Sequence, residues 1–151
     1  MESVTPYLTV DDAAAALAFY AEAFGAHEDE RWTDDAGHVG HAQISIGSAV
    51  LFVSDEYPEY GAIAPSTLGG TSVALHLSVA DADATHARAV AAGATLDRPV
   101  TEQPDGRRGG WVRDPYGHRW SISSVTSEEP TLEQLNEAVS DSFRVTRDPV
   151  T

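Results

Sequence analysis

Between Val4 and Val10 the chain alternates, with Val4, Pro6, Leu8 and Val10 on one side and Thr5, Tyr7 and Thr9 on the other. That period of two predicts a strand whose apolar face meets a helix layer while the mixed face turns elsewhere. Asp11 or Asp12 then caps a helix from Ala13 to Phe24, with an apolar stripe of Ala14, Leu17, Ala18, Tyr20 and Phe24 and a stop at Gly25. The same plan returns downstream. Val73, Leu75, Leu77 and Val79 form the helix-facing side of a second strand and Ala74, His76 and Ser78 its other side. Asp81 or Asp83 caps a helix to Ala92, closed by Gly93. Tyr7 and His76 are 69 residues apart and Gly25 and Gly93 are 68 apart, so the copies keep register within one residue. An internal repeat of this kind fixes the architecture before any other reading.

Shorter extended segments follow each helix, at about 26–33, 38–46 and 48–54 in the first half and at 95–100, 109–113 and 118–123 in the second. The order is β-α-β-β-β, twice, which predicts an α+β fold of two βαβββ modules forming a cupped mixed β-sheet. Their expected spans are about 3–55 and 71–124 within a single domain over 1–126. A Gly-, Pro-, Ser- and Thr-rich linker covers 56–70, and a tail covers 127–151. In that tail Thr131 and Gln134 have the spacing of a capping box, and Leu132, Leu135, Ala138 and Val139 predict a short amphipathic helix to about Phe143.

The net charge of −15 changes which partners are plausible. Such a surface repels phosphate backbones and anionic headgroups, so neither nucleic acid nor membrane is expected as a partner. All nine basic residues are Arg, which excludes a Schiff-base lysine and a phosphate-loop lysine. There is no Cys, so thiol nucleophiles, disulfides and thiolate metal sites are excluded together. The N-terminal residues lack the pattern of a signal peptide, and the expected location is cytoplasmic.

The doubled plan resembles the vicinal oxygen chelate superfamily of glyoxalases, extradiol dioxygenases and bleomycin-resistance proteins. Three stretches carry the likeness: Tyr7-Leu8-Thr9-Val10-Asp11-Asp12, Phe19-Tyr20, and the closing Val112-Arg113-Asp114-Pro115-Tyr116-Gly117-His118-Arg119-Trp120. Gly40-His41-Ala42-Gln43, the closing motif and the extra C-terminal helix are most similar to its PhnB-like branch. The resemblance implies a cup of sheet, with a divalent metal in the enzymes held by the first and last strands of each half. Those ligand positions fall here on Thr5, Ala74, Phe52 (or Leu51) and Ser121. Hard and borderline divalent ions want carboxylate, imidazole or carbonyl donors, which this set lacks. No metal and no other cofactor is expected, unless a divalent ion occupies a displaced site.

With the usual metal site erased, the cup reads as a small-molecule pocket, and a homodimer is the expected assembly. Alternation places Thr5, Tyr7, Thr9, His41, Gln43, Val50, Phe52, Ala74, His76, Ser78, Trp111, Arg113 and Ser121 on its surface. Aromatic area with a few polar groups suits a bound organic molecule, and Trp111, Tyr7 and Phe52 could sandwich a planar one. The leading expectation is metal-free sequestration of an aromatic or antibiotic-like ligand. The alternative is a glyoxalase-like lyase or isomerase using His41 and His76 or a displaced metal. Arg107, Arg108 and Arg113 could form an anion-binding lip or pair with surface carboxylates. Arg119 is expected to tie down the Asp114 turn, His118 to be structural or exposed, and His27 and His86 to lie at the surface.

Overall fold

Alternation becomes two four-stranded mixed sheets in the computed structural model, which describes residues 1–149. The first module contains β1 (Tyr7–Thr9), α1 (Ala13–Phe24), β2 (His27–Thr33), β3 (Val39–Ile46) and β4 (Ala49–Ser54). Its strand order is β1-β4-β3-β2, with β1 parallel to β4 and the rest antiparallel. A 3₁₀ turn at Pro58–Tyr60 and a single helical turn, α2 (Pro65–Leu68), occupy the segment expected to be a plain linker. In the second module β5 (Ala74–Ser78), α3 (Ala82–Ala92), β6 (Thr95–Glu102), β7 (Arg107–Arg113) and β8 (Arg119–Val125) repeat the topology as β5-β8-β7-β6. The fold is therefore the expected pair of βαβββ modules. The two sheets are separate hydrogen-bonded ladders with β1 and β5 at their edges.

The repeat reaches the caps. Asp12 accepts from the Ala15 amide at 3.1 Å and Asp81 from the Ala84 amide at 3.0 Å, so each cap is one of the two Asp residues expected. Gly25, at φ 68°, ends α1 in the left-handed region that other residues rarely enter. Asp55 also ties the start of α1 to the sheet. Its two carboxylate oxygens accept from the Ala13 and Val39 amides, each at 2.7 Å.

The buried face of α1 is wider than the predicted stripe and rotated from it. Ala13, Ala16, Leu17, Phe19, Tyr20, Ala23 and Phe24 are buried, whereas Ala14 and Ala18 are exposed. The reason is tertiary: α1 packs on α3 and on the second module as well as on its own sheet. The Tyr20 ring lies 5.5 Å from that of Trp120 in β8, and the Phe24 ring 4.6 Å from it. At their centre the Asp114 carboxylate, 3% exposed, accepts from the Tyr20 hydroxyl at 2.6 Å and from Trp120 Nε1 at 3.0 Å. His118 Nε2 donates to the Thr9 carbonyl at 2.9 Å, a second polar tie between modules from a buried side chain.

At the C-terminus the capping box forms as expected, with Thr131 Oγ1 accepting from the Gln134 amide and Gln134 Oε1 from the Thr131 amide. The helix it starts, α4 (Leu132–Val139), is shorter than predicted and buries Leu135. Thr131→Ala is expected to cost about 1 kcal/mol locally. Faster amide exchange within 132–139 and unchanged exchange in β8 would register it. No described helix is long and apolar enough to cross a membrane.

Candidate functional site

Each sheet has one face under a helix and one face free of it, and the predicted site residues divide between the two free faces. On the first, Tyr7 and Phe52 are register partners in β1 and β4, and Trp32 and His41 in β2 and β3. Their side chains form an edge-to-face cluster. His41 lies 4.8 Å from the Phe52 ring centre, 5.5 Å from Tyr7 and 6.0 Å from Trp32. The Tyr7 hydroxyl meets His41 Nδ1 at 2.7 Å, and partial burial raises the Tyr7 hydroxyl above its usual pKa. Tyr7 is nonetheless 52% exposed and Trp32 64%, so this aromatic surface is open. Gln43 lies beside it as the register partner of Phe52, and the Ser45 hydroxyl first, then His27 and Gln43, hydrogen-bond Asp29 and lower that carboxyl's pKa.

Thr5 and Val50 border a cleft of about 400 Å³ between the modules, which Leu75 and His76 close from the other side. Tyr7 and Thr9 border another, of about 490 Å³, under Tyr57 and Tyr60.

The second free face is built differently. His76 Nδ1 lies 3.0 Å from Ser121 Oγ, and its Nε2 3.2 Å from Ser123 Oγ and 3.5 Å from Ser78 Oγ. Beside them Trp111 borders a cavity of about 190 Å³ with Arg98, Arg107, Gly109, His76, Ser121 and Ser123. The Arg119 guanidinium sits 4.8 Å from the Trp111 ring centre and that of Arg98 5.9 Å, both within cation-π range. Arg113 is exposed at the end of β7, outside that cavity, and Ala74 is exposed on β5.

His41 and His76 belong to separate sheets. Each is engaged by hydroxyl partners of its own module.

Two expectations change, for Arg119 and His86, and for Arg108 one of the two stated alternatives holds. Arg119 covers Trp111, and the Asp114 turn is held instead by the Tyr116 and His118 amides, each donating to Asp114 Oδ1 at 2.9 Å. His86 is buried, its Nε2 3.1 Å from the Arg98 carbonyl and 3.3 Å from that of Trp111. It therefore fixes β6 and β7 from beneath at the two positions that frame the cavity. Arg108 does pair with a surface carboxylate, donating twice to Asp83 at 2.9 Å.

Arg98, Trp32 and Ser123 were not expected at the site. Register shifts in β6 on both sides of Arg98, and in β2 at Glu28/Glu30 and Trp32/Thr33, break the period of two from which facing is read. Ser123 follows that period from Ser121 along an unbroken β8, so it was the one legible omission.

The donor set disagrees with a metal at the family's positions. Phe52 is part of the aromatic cluster and offers no donor, Ser121 Oγ is engaged by His76, and Thr5 and Ala74 supply no strong ligand. Among the described residues no group of three or more His, Asp or Glu side chains is arranged around a common point.

Comparison with known proteins agrees with this architecture. An uncharacterized protein of Mycobacterium tuberculosis is 38% identical over 141 residues, which cover 91% of this chain and 82% of that protein. A glyoxalase-related enzyme from Fulvimarina pelagi superposes with a TM-score of 0.66 at 27% identity, over 82% of this chain and 88% of that one. A PhnB protein from Bacillus cereus shares the fold at a TM-score of 0.64 and 19% identity, over 82% of this chain and all of that one. Residues 3–122 match the model of one family. Because that match runs from the start of the first module into β8 of the second, the chain belongs to the glyoxalase/bleomycin resistance protein/dioxygenase superfamily.

Proposed function

We propose that this family member is a metal-free small-molecule-binding protein of the PhnB-like branch, a cytoplasmic homodimer that sequesters an aromatic ligand on its helix-free sheet faces. The observation that carries the reading is the replacement of the family's ligand positions by Thr5, Phe52, Ala74 and Ser121 beside intact aromatic surface at Tyr7, Trp32, Phe52 and Trp111. Stacking and desolvation need no bond chemistry, and each well-placed aromatic contact adds about 0.5–1.5 kcal/mol beyond burial. Exposed Leu96 and Val125 offer apolar area that a second copy would cover.

Purified protein is expected to stay substoichiometric in metal after incubation with Ni, Zn, Fe and Mn. A ligand at about a hundredfold its Kd should add about 2.7 kcal/mol of stability in a thermal screen, with chelator making no difference. Stoichiometric metal that is lost in His76→Ala would overturn this. A second reading, lyase or isomerase chemistry, is favoured by His76 standing between two serine hydroxyls, a proton-transfer arrangement. Turnover by metal-free protein that disappears in His76→Ala would establish it in place of sequestration.

A further inference from the structure

The two helix-free faces differ in charge. On the first, the cluster is aromatic, built of Tyr7, Trp32, His41 and Phe52. On the second, Arg98 from β6 and Arg119 from β8 lie over Trp111 and Arg107 from β7 lines the same cavity as Arg98 and Trp111, three of the nine arginines in a chain of net charge −15. In such a chain carboxylates are plentiful, and other arginines use them. Arg31 holds Glu28 at 2.6 Å, Arg108 holds Asp83 at 2.9 Å and Arg147 holds Glu129 at 3.1 Å. Arg98 and Arg119 hold no carboxylate among the described residues, only the Trp111 ring. Arg107 reaches Ser123 Oγ at 3.4 Å and Asp105 at no closer than 3.9 Å. A guanidinium carries five N–H donors in a planar fork suited to carboxylate, and these are largely unspent.

From this arrangement we propose that the cavity of about 190 Å³ between β6, β7 and β8 is a binding site for a small planar monocarboxylic acid. Its carboxylate lies between Arg98 and Arg107, with the Ser121 and Ser123 hydroxyls and His76 beside it. Its apolar body lies along Trp111. The cavity is smaller than the roughly 300–1,000 Å³ typical of drug-sized ligands, which restricts the occupant to a small acid. Asp105 also borders it, and that carboxylate disfavours a second negative charge on the ligand. Gly109 leaves the floor open: a Cβ there would approach the Ser123 side chain at 3.4 Å.

The assignment rests on the metal-free binding reading above, and the test separates the two. The full chain is titrated with benzoate, benzamide and inorganic phosphate, followed by tryptophan fluorescence and amide shifts. Arg98→Gln, Arg107→Gln and Arg98→Lys are compared with Arg144→Gln, which changes an exposed arginine that does not line the cavity. Melting temperature reports folding of each variant.

Benzoate is expected to bind, to weaken as salt is raised, and to shift the amides of Gly109, Gly110 and Ser121. Either Gln variant should lose about tenfold in affinity, with Arg98→Lys recovering part of it and Arg144→Gln unchanged. Benzamide binding as tightly as benzoate would overturn the acid class, and phosphate competing at equal affinity would overturn the organic class. If neutral aromatics stabilise the protein but benzoate does not bind, this site assignment alone falls. If nothing in the small-molecule screen binds, the sequestration reading falls with it.

Discussion

Asp114→Ala is expected to cost about 4 kcal/mol of unfolding free energy, because it strips the shared acceptor from two neutral side-chain donors that stay buried. The carboxylate is the shared acceptor for the Tyr20 hydroxyl from the first module and for Trp120 Nε1 and two backbone amides from the second. Alanine leaves the two side-chain donors buried among apolar rings, at about 1–3 kcal/mol for each unsatisfied group. For a chain of this size the melting temperature should fall by roughly 10 °C or more. The urea midpoint would show the same change, and a midpoint close to wild type would refute the account. Asp34, at the corresponding turn of the first module, is a control within the same molecule. Its Oδ1 accepts from the Ala36 and His38 amides at 2.9 Å, the same turn geometry, but it is solvent-exposed. Asp34→Ala should leave the midpoint nearly unmoved.

The same constellation has a pH signature. Burial first, then the Asp114 charge and the hydrogen bond to it, holds the Tyr20 hydroxyl well above its usual pKa. A group whose folded pKa is raised contributes its full stability below the unfolded value and loses it as pH rises. The loss attributable to Tyr20 should therefore begin near pH ~10, where an unfolded tyrosine ionises. Tyr20→Phe should be less stable at neutral pH and show a shallower alkaline decline.

Much of the scaffold was readable because β1, β5 and β8 keep an unbroken period of two and both helices carry the same Asp cap and Gly stop. The turn Asp-x-x-Gly-His occurs in both halves, at Asp34 and at Asp114, and folds alike. Facing failed where strands are irregular or contacts cross between modules. His86 looked like a surface residue on an Ala-rich helix, yet Ala82, His86 and Ala89 are spaced i, i+4 and i+7 and form its buried stripe. Its position on the stripe was the available signal, and its polarity concealed it. For Arg119 no local signal existed, because its partner Trp111 lies on another strand.

Gly110→Ala is the second large effect expected, about 1–3 kcal/mol, from overpacking one methyl group against backbone. A Cβ at this buried position would stand 2.9 Å from the Arg98 carbonyl oxygen, 2.9 Å from the Val100 amide nitrogen and 3.0 Å from the Pro99 carbonyl carbon. None of these atoms can rotate away as a side chain would, so β6 itself must move from β7. It would move where β6 is already irregular, between Arg98 and Thr101, and where Pro99 has no N–H to give to the ladder. His86 bonds the Arg98 and Trp111 carbonyls together at that point, so displacement of β6 would open this link and shift Arg98 relative to Trp111. Stability and site geometry should fail together in Gly110→Ala, read as a lowered urea midpoint with altered Trp fluorescence. Gly109→Ala separates them. Its Cβ would meet the Ile122 carbonyl at 3.3 Å and the Ser123 side chain at 3.4 Å, contacts that a few tenths of an ångström relieve, while occupying the cavity floor. Alanine at 109 should weaken benzoate more than it lowers the midpoint, because that glycine keeps space open for a ligand and Gly110 keeps two strands in contact.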